Sequence, residues 1–123
     1  MMQTKSEKIG FIKDESLSPF SVAISLKSDA VNNGDMSYNN DENDKNRNLL
    51  FKELGIQNKN HIRNRQIHSD KIVRPDYNNM IEADGLISAD IRDSLMLLTA
   101  DCYNIFFTTD SGREFGAVHA GWK

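Results

Sequence analysis

The sequence is poor in the residues that staple, break or anchor a chain. It holds one cysteine, so no disulfide can form within it, and two prolines among 123 residues. No window approaches the roughly 18 uninterrupted apolar residues of a membrane-spanning helix. The opening stretch MMQTKSEKIGFIKDES has basic side chains but no apolar centre, which argues against a secretory signal. A cytoplasmic setting is therefore the expectation. Charge of one sign is missing too: 15 Lys and Arg against 18 Asp and Glu give a formal charge of -3. That balance offers no basic patch for nucleic acid and no acidic tail of the disordered kind. The length leaves room for one small domain with one core.

What is present reads as strands around one helix. In Phe20 to Leu26 the large apolar residues fall on alternate positions, the pattern of a strand with one buried face. The shorter Ile9 to Ile12 is expected to pair with it across Ser18-Pro19. Asn32 to Asn48 is dominated by Asn, Asp, Gly and Ser, which favour turns, and reads as a long surface loop. A helix is expected over Asp44 to Leu54, with Asp44 as N-cap and Gly55 as the stop. Ile62 to His68 and Lys71 to Val73 follow as extended segments. Leu95 to Leu98 lacks alternation, as a strand covered on both faces does. Tyr103 to Thr108, the turn Asp110-Ser111-Gly112 and Glu114 to His119 read as an antiparallel pair.

Three short segments gather the chemistry: Gln66-Ile67-His68-Ser69, Thr99-Ala100-Asp101-Cys102 and Ala117-Val118-His119-Ala120-Gly121-Trp122. Each lies at or near a strand end, where sites are commonly built. One thiolate and two imidazoles suit Zn²⁺, and three protein ligands leave a position for water or substrate. The same residues also fit a cysteine hydrolase, with Cys102 as nucleophile, His119 as its base and Asp101 orienting the imidazole. In the plainest alternative, Cys102 is a small buried hydrophobe and the histidines are structural.

In order along the chain, these segments resemble the YfiH, or laccase-domain, family. Its Ala-Asp-Gly/Ala-Leu-Ile/Val-Thr element is matched by Ala83-Asp84-Gly85-Leu86-Ile87-Ser88, its Thr-Ala-Asp-Cys by residues 99–102, and its His-Ala-Gly-Trp by residues 119–122. Gln66-Ile67-His68-Ser69 is similar to the family's Gln-Val-His-Gly/Ser element. Asn46-Arg47 resembles its Asn-Arg helix start, and Gly34-Asp35-Met36-Ser37 a variant of its Gly-rich loop. Tyr103-Asn104 departs from the family pattern, which has a small or apolar residue followed by Pro.

The resemblance implies an α/β fold, a layered α/β/β/α sandwich, with His68, Cys102 and His119 as ligands of Zn²⁺, or of copper where older annotation makes the family a polyphenol oxidase. It implies activity on purine nucleosides: phosphorolysis of adenosine, inosine or methylthioadenosine with phosphate, and deamination of adenosine. Bacterial members are also tied to peptidoglycan-precursor editing. Arg47 is then a candidate phosphate clamp, since guanidinium grips phosphate oxygens in pairs; an exposed helix arginine is its plain alternative. Asp84 and Asp101 are candidates for orienting the ligands from behind. Family members run to about twice this length. Residues 1–123 are therefore expected to be the N-terminal part of a single domain, an incomplete sandwich; an enzyme impaired by truncation and a non-catalytic remnant are the alternatives to an active one.

Overall fold

A computed structural model of the chain describes residues 8–99 and 103–120. The chain forms two compact units, Met1–Asp14 with Ala23–Gln57, and Glu15–Val22 with Asn58–Lys123. Cys102, Asp101, Gly121 and Trp122 lie outside the described residues.

In the first unit, β1 (Phe11–Asp14) pairs with β2 (Val22–Ser25) in a two-stranded sheet, as the alternation suggested. The expected buried face does not form: Ile24 and Leu26 are exposed. Alternation names the side that would be buried, but a two-stranded ribbon covers little by itself.

The Asn-rich stretch is not a structureless surface loop. It folds into two 3₁₀ turns, Val31–Gly34 and Asp41–Asn43, with Asn43, Asn46 and Gly34 buried. Side-chain amides take the place of a sheet ladder. Asn43 Nδ2 donates to the Ser37 carbonyl (3.0 Å) and Asn32 Nδ2 to Asn43 Oδ1 (2.9 Å). Asn46 Nδ2 donates to the carbonyls of Val31 and Asp35 at 2.7 and 2.8 Å. Asn32 and Asn33 adopt positive φ, which asparagine tolerates better than most residues. Helix α1 runs from Asp44 to Leu54, as expected, and ends on Gly55 in the left-handed conformation at φ 69°. Its N-cap is Asn43 rather than Asp44, because the 3₁₀ turn feeds straight into the helix.

The second unit carries the site. Parallel β3 (Asn60–Arg63) and β6 (Asp93–Met96) pair in register Ile62 to Leu95. The strand ends at Met96, half-way through the expected apolar run, and Leu95 to Leu98 are half-buried rather than covered on both faces. Among the described residues this sheet has two strands, which the sequence pattern does not report. Between them, β4 (Ile72–Val73) and β5 (Gly85–Ser88) join β7 (Tyr103–Thr108) and β8 (Phe115–Ala120) in a four-stranded sheet of order β4-β5-β8-β7. The β7–β8 hairpin turns on Gly112 at φ 69°, matching the expected turn.

Register decides which side chains share a face. Leu86 opposes Ala117, Phe106 opposes Ala117 and Asn104 opposes His119, so all lie on one side of the sheet. Leu86, Ala117, Ala83 and Ile62 form the buried apolar centre of this unit. Phe20 stacks on Phe115 with ring centroids 4.6 Å apart. On the opposite face Phe107 lies across Gly116, where a Cβ would meet the ring at 2.2 Å. Glycine is required there by close approach, not by its backbone angles.

Candidate metal centre

The sheet delivers His119 on β8 and Asp84 immediately before β5, and the two strands are neighbours. The backbone N–H of His119 donates to the Asp84 carbonyl at 2.7 Å. Their side chains meet as well: His119 Nδ1 is 3.0 Å from Asp84 Oδ2, with the imidazole 6% and the carboxylate 1% exposed. The other carboxylate oxygen works on a different segment. Asp84 Oδ1 accepts from the backbone N–H groups of Ile67 and Ser69, both at 2.9 Å, and from the Ser69 hydroxyl at 3.0 Å. These donors bracket His68, so one buried carboxylate fixes both histidine segments.

Burial opposes the charged form of Asp84 more strongly than any other influence acts on it. The Ser69 N–H, His119, the Ile67 N–H and the Ser69 hydroxyl together overcome burial and hold the carboxyl well below the usual carboxylate range. Asp84 is therefore an anion throughout the neutral range.

His68 itself is at φ 60°, in the left-handed region that non-glycine residues seldom occupy. Such a conformation costs on the order of 1–3 kcal/mol and persists where surroundings dictate it. Here the Asp84 hydrogen bonds on either side dictate it. The His68 ring is exposed and stands edge-on to His119, with ring centroids 5.6 Å apart and planes at 65°.

Gln66 ties the third segment to the same place. Its amide makes both bonds of a strand pair with Leu98, donating to the carbonyl at 2.7 Å and accepting from the N–H at 2.8 Å. On the far side of residues 99–102, Tyr103 is the Cα partner of Ala120, next to His119. Leu98 is thus bonded to the His68 loop, and Tyr103 is paired with the His119 strand.

Of the residues proposed from sequence, His68 and His119 come together, with Asp84 behind them. Asp101 and Cys102 lie outside the described residues, and the carboxylate seen at His119 is Asp84. No group of three or more His, Cys, Asp or Glu side chains able to hold a metal occurs among the described residues. Arg47 belongs to the first unit and is buried rather than exposed. Its side chain is buried, Nη1 donates to the carbonyls of Met36 and Ser37 at 2.8 and 2.9 Å, and Nη2 bonds Asp44. Tyr38 stacks beneath the guanidinium at 3.9 Å. These contacts occupy the group on its own loop. Gln66 is the residue that residue-type reasoning passed over, because an amide bridging two backbone segments leaves no mark beyond its place in the motif.

A family model described as multi-copper polyphenol oxidoreductase laccase matches residues 22–123. The chain belongs to this family. Among curated proteins, it is 35% identical over 79 residues to a purine nucleoside phosphorylase of Haemophilus influenzae, covering 63% of this chain and 32% of that protein. It is 32% identical over 87 residues to one of Xylella fastidiosa strain 9a5c, covering 65% and 33%. The chain thus spans about a third of the length of these relatives. Solved structures share the fold. A Neisseria meningitidis protein of the DUF152 family superposes with a TM-score of 0.72 at 19% identity, over 91% of this chain and 50% of that one. YlmD from Geobacillus stearothermophilus gives a TM-score of 0.65 at 23% identity, over 72% and 38%. The family's fold is therefore that of this chain, and it is mixed α/β as the resemblance implied. No helix among the described residues is long and apolar enough to cross a membrane.

Proposed function

We propose that this chain carries the metal centre of a purine nucleoside phosphorylase, with His68, Cys102 and His119 as the ligands of a zinc ion. The observation that carries the proposal is the buried Asp84 carboxylate bonded to His119 Nδ1 and to both sides of His68. A carboxylate behind an imidazole fixes the proton on the near nitrogen and leaves the far nitrogen's lone pair for a metal, the usual support of a histidine ligand. Connectivity supports Cys102 as the third ligand, since residue 103 pairs beside His119 and successive Cα atoms are about 3.8 Å apart. Thiolate with imidazole suits zinc and also accepts copper.

The relatives named purine nucleoside phosphorylase suggest the substrates, a purine nucleoside and inorganic phosphate. Breaking the glycosidic bond develops charge on both the leaving purine and the ribose, which preorganised polar groups stabilise best. A bound zinc supplies Lewis acidity at this position. The protein's own part is positional. Asp84 holds the Nδ1 proton of His119, keeps the His68 loop in its left-handed turn, and through that loop Gln66 secures the segment that leads to Cys102. A cytoplasmic setting, where a lone thiol stays reduced, agrees with this role for Cys102.

Phosphate-dependent release of free base from adenosine, inosine and methylthioadenosine tests the proposal on the full chain. The expected result is free base with ribose 1-phosphate (5-methylthioribose 1-phosphate from methylthioadenosine), lost in Cys102→Ala and His119→Ala. Ammonia release in the same assay marks adenosine deamination. Base release that ignores phosphate and survives metal removal would favour a Cys102–His119 hydrolase instead.

A further inference from the structure

On the neighbouring strand β7, the side chain directly opposite His119 is polar: Asn104. The two are Cα partners across β7 and β8, and directly opposed residues of an antiparallel pair project to the same side with Cβ atoms about 5 Å apart. The neighbours of Asn104 on its strand, Tyr103 and Ile105, project the other way and are 80% and 53% exposed. Asn104 itself is half-buried. Its Oδ1 is buried and has no hydrogen-bond partner among the described residues.

An amide oxygen can only accept a hydrogen bond, and a buried acceptor left without a donor is a cost that native structures rarely carry without a use. The buried Asn64 amide, by contrast, bonds the protein: its Nδ2 donates to the Gly85 carbonyl at 3.1 Å. Asn104 Oδ1 stands instead beside the proposed metal ligand.

We infer that Asn104 Oδ1 is a specificity contact, accepting a hydrogen bond from an N–H or O–H group of the nucleoside bound beside His119. The inference rests on the nucleoside reading above and adds to it a residue that discriminates among ligands. Two kinds of donor on a nucleoside fit: the exocyclic 6-amino group, which adenosine has and inosine replaces with an acceptor, and the ribose 2′- and 3′-hydroxyls, which the dideoxynucleoside lacks. A site that reserves a buried polar group for a substrate group disfavours the analogue that lacks it, because the protein group is then left unpaired.

The test is equilibrium binding of adenosine, inosine and 2′,3′-dideoxyadenosine to the full zinc-loaded chain, for wild type, Asn104→Leu and Asn104→Asp. Leucine removes the acceptor at similar size, and aspartate keeps it. Asn104→Leu is expected to weaken adenosine about three- to tenfold, the range for one hydrogen bond, while Asn104→Asp stays within about twofold. If the loss is absent with inosine, the partner is the 6-amino group; if absent with the dideoxynucleoside, it is a ribose hydroxyl. An equal loss with all three ligands, no loss with any, or an equal loss in Asn104→Asp overturns the inference, as does a wild-type chain that binds none of them. Binding is read without phosphate, so a chain that binds nucleosides but does not cleave them refutes the enzymatic proposal while leaving this comparison decisive. Urea unfolding of each variant separates a folding defect from a lost contact.

Discussion

Replacing Asp84 by asparagine separates its two tasks. The asparagine carbonyl can keep the place of Oδ1 and accept from Ile67, Ser69 N–H and Ser69 hydroxyl as the carboxylate does. The amide nitrogen must then face His119 Nδ1, now 3.0 Å from a carboxylate oxygen. An NH₂ group donates, so Nδ1 has to accept, and the imidazole proton moves to Nε2. That tautomer has no lone pair on the nitrogen a metal would use. Loss of such a supporting partner typically costs 10–100-fold in metal affinity, equivalent to about 1.4–2.8 kcal/mol. The fold should weaken as well, because three bonds to a charged acceptor become bonds to a neutral one, a difference of about 1 kcal/mol each. Asp84→Ala behaves differently. It strands two backbone N–H groups and removes what holds His68 at φ 60°, so about 3–5 kcal/mol of stability is lost. Zinc competition against a chelator, paired with urea unfolding, reads both quantities. An Asp84→Asn chain that binds zinc as tightly as wild type, or an Asp84→Ala chain of undiminished stability, refutes the reasoning.

His68→Gly should be more stable than His68→Ala by about 1 kcal/mol in thermal unfolding, since only glycine adopts the left-handed turn without strain, and neither should hold zinc. Tyr77 donates its hydroxyl to both oxygens of Asp93 at 2.9 and 2.8 Å, and this hydrogen bond raises the phenol's pKa above its ordinary value. Because the folded pKa is the higher one, its contribution is complete below about pH 10 and is lost as pH rises through the folded value. Tyr77→Phe should therefore remove the corresponding alkaline slope of stability, read by unfolding across that range. Arg47→Lys keeps the charge but cannot span Met36, Ser37 and Asp44 together. It should cost about 1–3 kcal/mol in urea unfolding, whereas a phosphate clamp would leave stability unchanged and weaken phosphate binding.

The parts legible in the sequence were those whose causes are local. Helix α1 follows from its cap and the Gly55 stop, and the β7–β8 hairpin from the turn residues Asp110-Ser111-Gly112 between two extended segments; both have the expected extents within a residue or so. The parts that escaped depend on partners far along the chain. Asp84 was readable as a candidate orienting residue, but its donors sit 15 and 17 positions away and its histidine 35 away. Nothing in its own neighbourhood says that it fixes two histidine segments at once. The same distance hid the Asn-rich stretch, whose composition marks turns but not the carbonyls of Val31, Asp35 and Ser37 that the amides would find. Ile24 shows the converse: the period was right, and burial still depended on cover that one strand cannot report.

Zinc content of the purified full chain, by elemental analysis under native conditions, addresses the central claim most directly. A three-ligand centre at His68, Cys102 and His119 predicts about one equivalent of zinc per chain, falling to a small fraction in Cys102→Ala and in His119→Ala while both variants remain folded. Less than about half an equivalent in the wild-type chain, or an equal content in Cys102→Ala, would contradict it.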